Sequence, residues 1–120
     1  MLSTNYEEWM RNRNDFSSLV ETVLTDLRSR NEKLSVDCRD CTVSDLGTGM
    51  KCVAKLTLGK QTIKAIFTLK PNINELQYTL KVTTGKDTDS ILKSKDYKRD
   101  VQSVTLADDM VEQLKTVIIH

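Results

Sequence analysis

Between Met50 and Val82 the chain reads MKCVAKLTLGKQTIKAIFTLKPNINELQYTLKV: three runs that alternate apolar and polar residues, separated by turn chemistry. A period of two sends alternate side chains to opposite faces of a pleated strand, so this stretch predicts antiparallel strands with one face buried and one wet. The first run puts Met50, Cys52, Ala54, Leu56 and Leu58 inward and Lys51, Val53, Lys55 and Thr57 outward. Gly59-Lys60 then suits a tight hairpin, because glycine adopts positive φ without a Cβ clash. The second run puts Ile63, Ala65, Phe67 and Leu69 inward, with Thr62, Lys64, Ile66, Thr68 and Lys70 outward. Pro71-Asn72-Ile73-Asn74 is the next turn, since proline lacks a ladder donor. The third run puts Leu76, Tyr78, Leu80 and Val82 inward and Glu75, Gln77, Thr79 and Lys81 outward, and Thr83 to Lys86 end the meander. A slip of one residue would expose every inward side chain, so the register is strongly specified.

The flanks read as helices. Thr4 and Glu7 have the spacing of a capping box. A stripe follows at Tyr6, Trp9, Met10, Phe16, Leu19, Val20, Val23, Leu24 and Leu27. The polar run from Arg11 to Asp15 predicts a break there, with Asp15 as a fresh N-cap, and Asn31-Glu32-Lys33 ends the helix. Leu34, Val36 and Cys38 alternate, as do Cys41 and Val43, which predicts a fourth strand or an irregular pair of short ones. Leu46 to Gly49 is a turn. Asp87 or Asp89 can cap a short helix through Lys98, with Ile91, Leu92 and Tyr97 on its buried side, and Lys98 to Asp100 is then a solvated connection. Thr105 and Asp108 predict the cap of a last helix, whose first turn holds two acids and whose stripe is Leu106, Met110, Leu114, Val117 and Ile118. The fold class expected is α+β. It is a two-layer sandwich with an N-terminal helix, an antiparallel meander of three to four strands, and one or two C-terminal helices packed on one face of the sheet.

Residues 1–120 are expected to form one domain. The 18 basic and 17 acidic side chains give a net charge of +1, so overall charge selects no partner and only its local arrangement can. No run reaches the roughly 18 apolar residues of a membrane-spanning helix. Residues 1–30 lack a basic start followed by an apolar core, and no Asn-x-Ser/Thr acceptor occurs. With three cysteines that cannot all pair, the expectation is a reducing, intracellular setting, cytoplasmic or nuclear, and no membrane partner.

Chemistry finds little footing. Cys38-Arg39-Asp40-Cys41 with Cys52 has thiolates at a spacing that can grip zinc, but a fourth ligand is missing and His120 is the lone histidine. A redox pair would belong at a helix start, which lowers the thiol pKa. Glu7/Glu8 and Asp108/Asp109 are explained by first turns of helices. Asp87, Asp89 and Asp96 lack the glycine and final glutamate of a calcium loop, and Gly47-Thr48-Gly49 lacks the lysine of a phosphate loop. The expectation is no metal, no cofactor and no enzyme.

Two surfaces remain. Lys51, Lys55, Lys64, Lys70 and Lys81 share the outward face by parity, with Glu75 alone opposing them. Such a face can track a phosphate backbone, yet it offers no aromatic ring for bases to stack on, and lysine also simply keeps an exposed sheet soluble. Tyr6, Trp9 and Met10 lie ahead of the expected helix break and could anchor a protein partner or a second copy, or could close one end of the core. The element order resembles that of the RWD interaction domains (helix, four-stranded meander, two helices), which mostly bind other proteins, although their Tyr-Pro turn is missing: Pro71 is the only proline and no tyrosine precedes it. It is also similar to the double-stranded-RNA-binding domain, but Thr105-Leu106-Ala107-Asp108-Asp109 replaces the lysine-rich start of that family's last helix. Neither resemblance carries functional residues across. The reading is a non-enzymatic interaction domain for a protein partner or itself, with nucleic-acid binding through the lysine face as the alternative.

Overall fold

The alternation becomes a sheet in the register it predicts. The computed structural model of the chain describes residues 2–37, 44–45, 49–71, 76–84, 91–98 and 103–118, with side chains described for 10–37, 49–69, 77–84, 91–97 and 105–118. The elements run α1 (Leu2–Arg30), β1 (Ser35–Asp37), β2 (Ser44–Asp45), β3 (Met50–Leu58), β4 (Gln61–Pro71), β5 (Leu76–Thr84), β6 (Ile91–Lys98) and α2 (Ser103–Ile118). All strands pair antiparallel in the order β1-β3-β4-β5-β6, and β2 pairs with β3 off this path. The architecture is α+β, with more strands than the three or four expected.

Leu58 pairs with Gln61, which leaves Gly59-Lys60 as a two-residue hairpin. Gly59 has φ 62 while no non-glycine residue among those described has positive φ. Positive φ at the first central position alone suits the right-handed twist of the flanking strands. The β4–β5 ladder runs one pair past Lys70, to Pro71 opposite Leu76. At such a strand end a missing N–H costs least.

Parity holds across the meander. Met50, Cys52, Ala54 and Leu56 are buried, as are Ile63, Ala65, Phe67 and Leu69, and Tyr78, Leu80 and Val82. Leu58 is half-buried at the hairpin. Both helices close over this face. α1 contributes Phe16, Leu19, Val20, Val23, Leu24 and Leu27, and Phe16 stacks on Tyr78 with ring centroids 6.1 Å apart. α2 contributes Leu106, Ala107, Met110, Val111, Leu114 and Ile118, with Val117 half-buried. Fully burying each large apolar side chain stabilises by about 1.5–3 kcal/mol, so this single layer dominates the energetics.

Three expectations need correction. First, α1 does not break at Arg11 to Asp15. It runs unbroken to Arg30, so Asp15 is not an N-cap and Thr4 lies inside the helix, past its start at Leu2. Asn and Asp cost only about 0.7 kcal/mol each in a helix interior, too little to interrupt a helix anchored by six buried residues. Second, residues 91–98 form a strand and not a helix, and Ile91 and Leu92 are exposed while Tyr97 is buried. This replaces the second C-terminal helix and departs from the RWD element order. Third, α2 starts at Ser103, so Thr105 is not its cap and Asp108 and Asp109 fall beyond its first turn. The irregular pair of short strands expected after α1 is present as Ser35–Asp37, with Leu34 buried just before it, and Ser44–Asp45, which begins one residue past Val43. Cys38, Cys41 and Val43 lie outside the described residues.

Candidate functional site

The two faces of the sheet differ in cover, and the site follows from that difference. With both helices on the inner face, the described outer side chains of β3, β4 and β5 are half-buried or exposed, except Thr83. The register fixes their neighbours. Lys55 lies opposite Lys64, Lys51 opposite Thr68, and Val53 opposite Ile66, which in turn faces Lys81 on β5. Lys51, Lys55, Lys64 and Lys81 therefore surround the half-buried apolar pair Val53–Ile66. Lys70 has its backbone on β4, but its side chain lies outside those described, as does Glu75 altogether. Two acids join this face that strand parity within the meander could not place: Asp37 opposite Lys55, and Asp96 opposite Thr79. Like charges directly opposite destabilise a sheet, so Lys55 and Lys64 are an unfavourable pair that Asp37 tempers. The hydroxyls of Thr68 and Thr79 meet across β4 and β5.

The residues proposed on α1 fare differently. The backbone is helical through Tyr6 and Trp9, whose side chains lie outside those described, and Met10 is half-buried. The buried stripe of α1 begins at Phe16 among the described side chains.

Sequence reasoning missed β6. It is the last strand of the sheet, and no described residue pairs with its far edge. Its inward positions are Lys93 opposite Val82, Lys95 opposite Leu80, and Tyr97 opposite Tyr78. The lysines there do not enter the core but bend along the flank of α2. Lys93 Nζ donates to Thr116 Oγ1 at 2.8 Å, Lys95 Nζ to Asp109 Oδ2 at 2.8 Å, and the Tyr97 hydroxyl to the same oxygen at 2.7 Å. The Lys95 hydrogen bond, assisted by that from Tyr97, holds the Asp109 carboxyl below its usual range, against a smaller opposing effect of burial. Burial, and then the bond to Asp109, push the Tyr97 hydroxyl pKa upward, so it stays protonated and donating. A bulge between Val82 and Thr83 leaves Leu92 as an extra residue, and Ile91 and Leu92 are 60% and 48% exposed. Beside the bulge, Thr83 is buried, and its hydroxyl has no partner among the described residues.

Among the described residues, two concavities lie on the helical layer. A polar groove of about 600 Å³ between α1 and α2 is rimmed by Glu21, Asp26 and Asp108 with Arg30. A smaller pocket of about 340 Å³, at the C-terminal ends of both helices, has an apolar floor of Leu27, Leu34 and Ile118. The cations at its mouth are held in place: Arg30 by Asp26 at 3.2 Å, and Lys115 by Glu112 at 3.4 Å. Neither brings a nucleophile to a base. Among the described residues no group of three metal-binding side chains converges, and Cys52 faces the core opposite Phe67. Cys38, Cys41 and His120 lie outside the described residues. Among the described residues, no helix is long and apolar enough to cross a membrane.

No family model, curated protein or solved structure matches this chain.

Proposed function

We infer that this chain is a non-enzymatic interaction domain that binds a protein partner or a second copy of itself. The observation that carries this reading is the far edge of β6: eight residues with no described strand beside them and two large apolar side chains exposed at one end. An unpaired edge presents a row of backbone donors and acceptors that another strand can satisfy, and exposed apolar residues add area to the contact. Replacing Ile91 and Leu92 with Lys leaves the core untouched, because both point to solvent. The double variant is expected to lose the partner in affinity capture, or to lose the dimer in sedimentation; a variant that retains both contradicts an edge-based interaction. A version centred on α1 uses Tyr6, Trp9 and Met10, and Trp9→Ala with Met10→Ala tests it by the same two measurements.

A second reading rests on the outer face, where Lys55 and Lys64 are held side by side with Lys51 and Lys81 near them. A cluster of this kind attracts phosphate, and such binding weakens steeply with salt. Lys55→Glu with Lys64→Glu should then abolish a salt-sensitive gel shift. No shift by the unaltered protein at low salt removes the nucleic-acid reading.

A further inference from the structure

The charges along β6 discriminate between the occupants its edge could take. A two-fold axis perpendicular to the sheet would pair β6 antiparallel with β6 of a second copy, and each register then fixes who meets whom. Centred on Ser94, Lys93 faces Lys95 of the second copy, twice. Centred on Lys93, Lys95 or Asp96, that residue faces its own image. Every register that uses the middle of the strand therefore sets like charges opposite one another, which opposes pairing. Lysine on an edge is a known guard against such self-association. The same lysines invite a different strand. Lys93 and Lys95 share one side of β6, two residues apart, and their ammonium groups stay at the surface, each held by one bond to α2. Lys95 remains 45% exposed. The intervening position, Ser94, is small and exposed.

We propose that the β6 edge takes an extended segment of another protein that carries carboxylates at alternate positions, opposite Lys93 and Lys95, with β-branched apolar residues between them. The segment extends the sheet by one strand. Its backbone satisfies the far edge of β6, its acids join the Lys93–Thr116 and Lys95–Asp109 contacts, and its apolar side chains reach toward Ile91 and Leu92. Asp96 lies on the opposite side of the strand from the two lysines, so the alternation keeps the incoming carboxylates away from it. Asp109 and Lys95 offset each other's charge, so the net attraction for a carboxylate comes from Lys93, whose partner Thr116 is neutral, while Lys95 adds a half-exposed donor. The inference rests on the edge-based reading above and deepens it by naming the partner's chemistry.

The test uses the isotope-labelled full chain and two end-blocked peptides as long as β6, one alternating valine with glutamate and the other valine with lysine. The valine–glutamate peptide should shift the backbone amides of Ile91–Lys98, and should bind at least about tenfold more tightly than the valine–lysine peptide. Lys93→Glu, which leaves the Lys95–Asp109–Tyr97 contact in place, should cut that preference at least about fivefold. Equal binding of the two peptides overturns the proposal, as do shifts centred on Val53 and Ile66, or no shift at millimolar peptide. Should both peptides fail while Ile91→Lys with Leu92→Lys still breaks a complex or a dimer, the interaction reading stands and the acidic-strand assignment falls. Oligothymidylate shifting Lys51, Lys55, Lys64 and Lys81 in place of any peptide effect would instead remove both.

Discussion

The two edges of this sheet are finished by different means. On the β3 side the edge is carried by two pieces, three and two residues long, that pair with opposite ends of β3. Pieces that short expose few backbone groups, and β1 is tied to α1 by a tight connection: the Asn31 amide donates to the Arg28 carbonyl at 3.2 Å and the Leu34 amide to the Asn31 carbonyl at 3.1 Å. On the other side β6 runs eight residues with no described neighbour beyond it, and side chains bonded to α2 fix it in place. One edge is blunted by brevity, the other by lysine. Among the described residues the short pieces offer few backbone groups to an incoming strand, whereas lysine opposes only strands that also carry positive charge. That difference is what the proposed reading uses to place an incoming strand at β6 and not at β1.

The comparison breaks first at Tyr97. Its buried ring and its bond to Asp109 hold β6, so Tyr97→Ala should cost about 3 kcal/mol in urea denaturation, while Val36→Ala on the half-buried β1 edge should cost about 1 kcal/mol. Equal costs would mean that the two edges are anchored alike. Asp109→Ala should come next, at about 1–2 kcal/mol, because it strips the acceptor from both Tyr97 and Lys95. Its effect depends on pH in a fixed direction. The folded pKa of Asp109 is depressed below the unfolded value of about 3.9, so its contribution is fully present above that value and is lost as pH falls through the folded pKa. The carboxylate is partly exposed, so solvent screening keeps this electrostatic share small. Denaturation curves of Asp109→Ala and the unaltered protein should therefore converge on acidification, and a gap that widens at low pH contradicts the assignment. Thr83→Val removes the unpartnered hydroxyl beside the bulge and should raise stability by up to about 1 kcal/mol, whereas a loss would show that the hydroxyl has an acceptor. The smallest stability effect belongs to Ile91→Lys with Leu92→Lys, within about 0.5 kcal/mol by thermal unfolding, although binding should be lost.

The same contrast explains what could be read from the residues. β3, β4 and β5 are central strands with one face in the core, so burial imposed a strict period of two, and Phe67 and Leu80 could be placed inward from their neighbours alone. β6 lies at the rim of the helical layer. Two of its three inward positions are lysines that reach polar groups on α2, and its two aliphatic residues stand side by side at a bulge, both in solvent. No alternation survives that arrangement, and the adjacent pair Ile91-Leu92 after the cap-like Asp87 and Asp89 reads as the start of a helix. The acids on the lysine face were hidden for a related reason: Asp37 and Asp96 belong to strands outside the meander, so only the pairing of β1 and β6 brings them to it. α1 misled in the opposite sense, since its polar interruption is real in sequence but too weak to stop a helix held by packing from Phe16 to Leu27.

Backbone amide exchange along Ile91–Lys98, measured on the isolated protein, addresses the open edge most directly. In an edge strand alternate amides bond to β5 and the others face water, so slow and fast exchange should alternate from residue to residue, while β4, flanked on both sides, is protected throughout. Uniform protection along β6 would mean that its far edge is already covered, and would contradict a strand waiting for a partner.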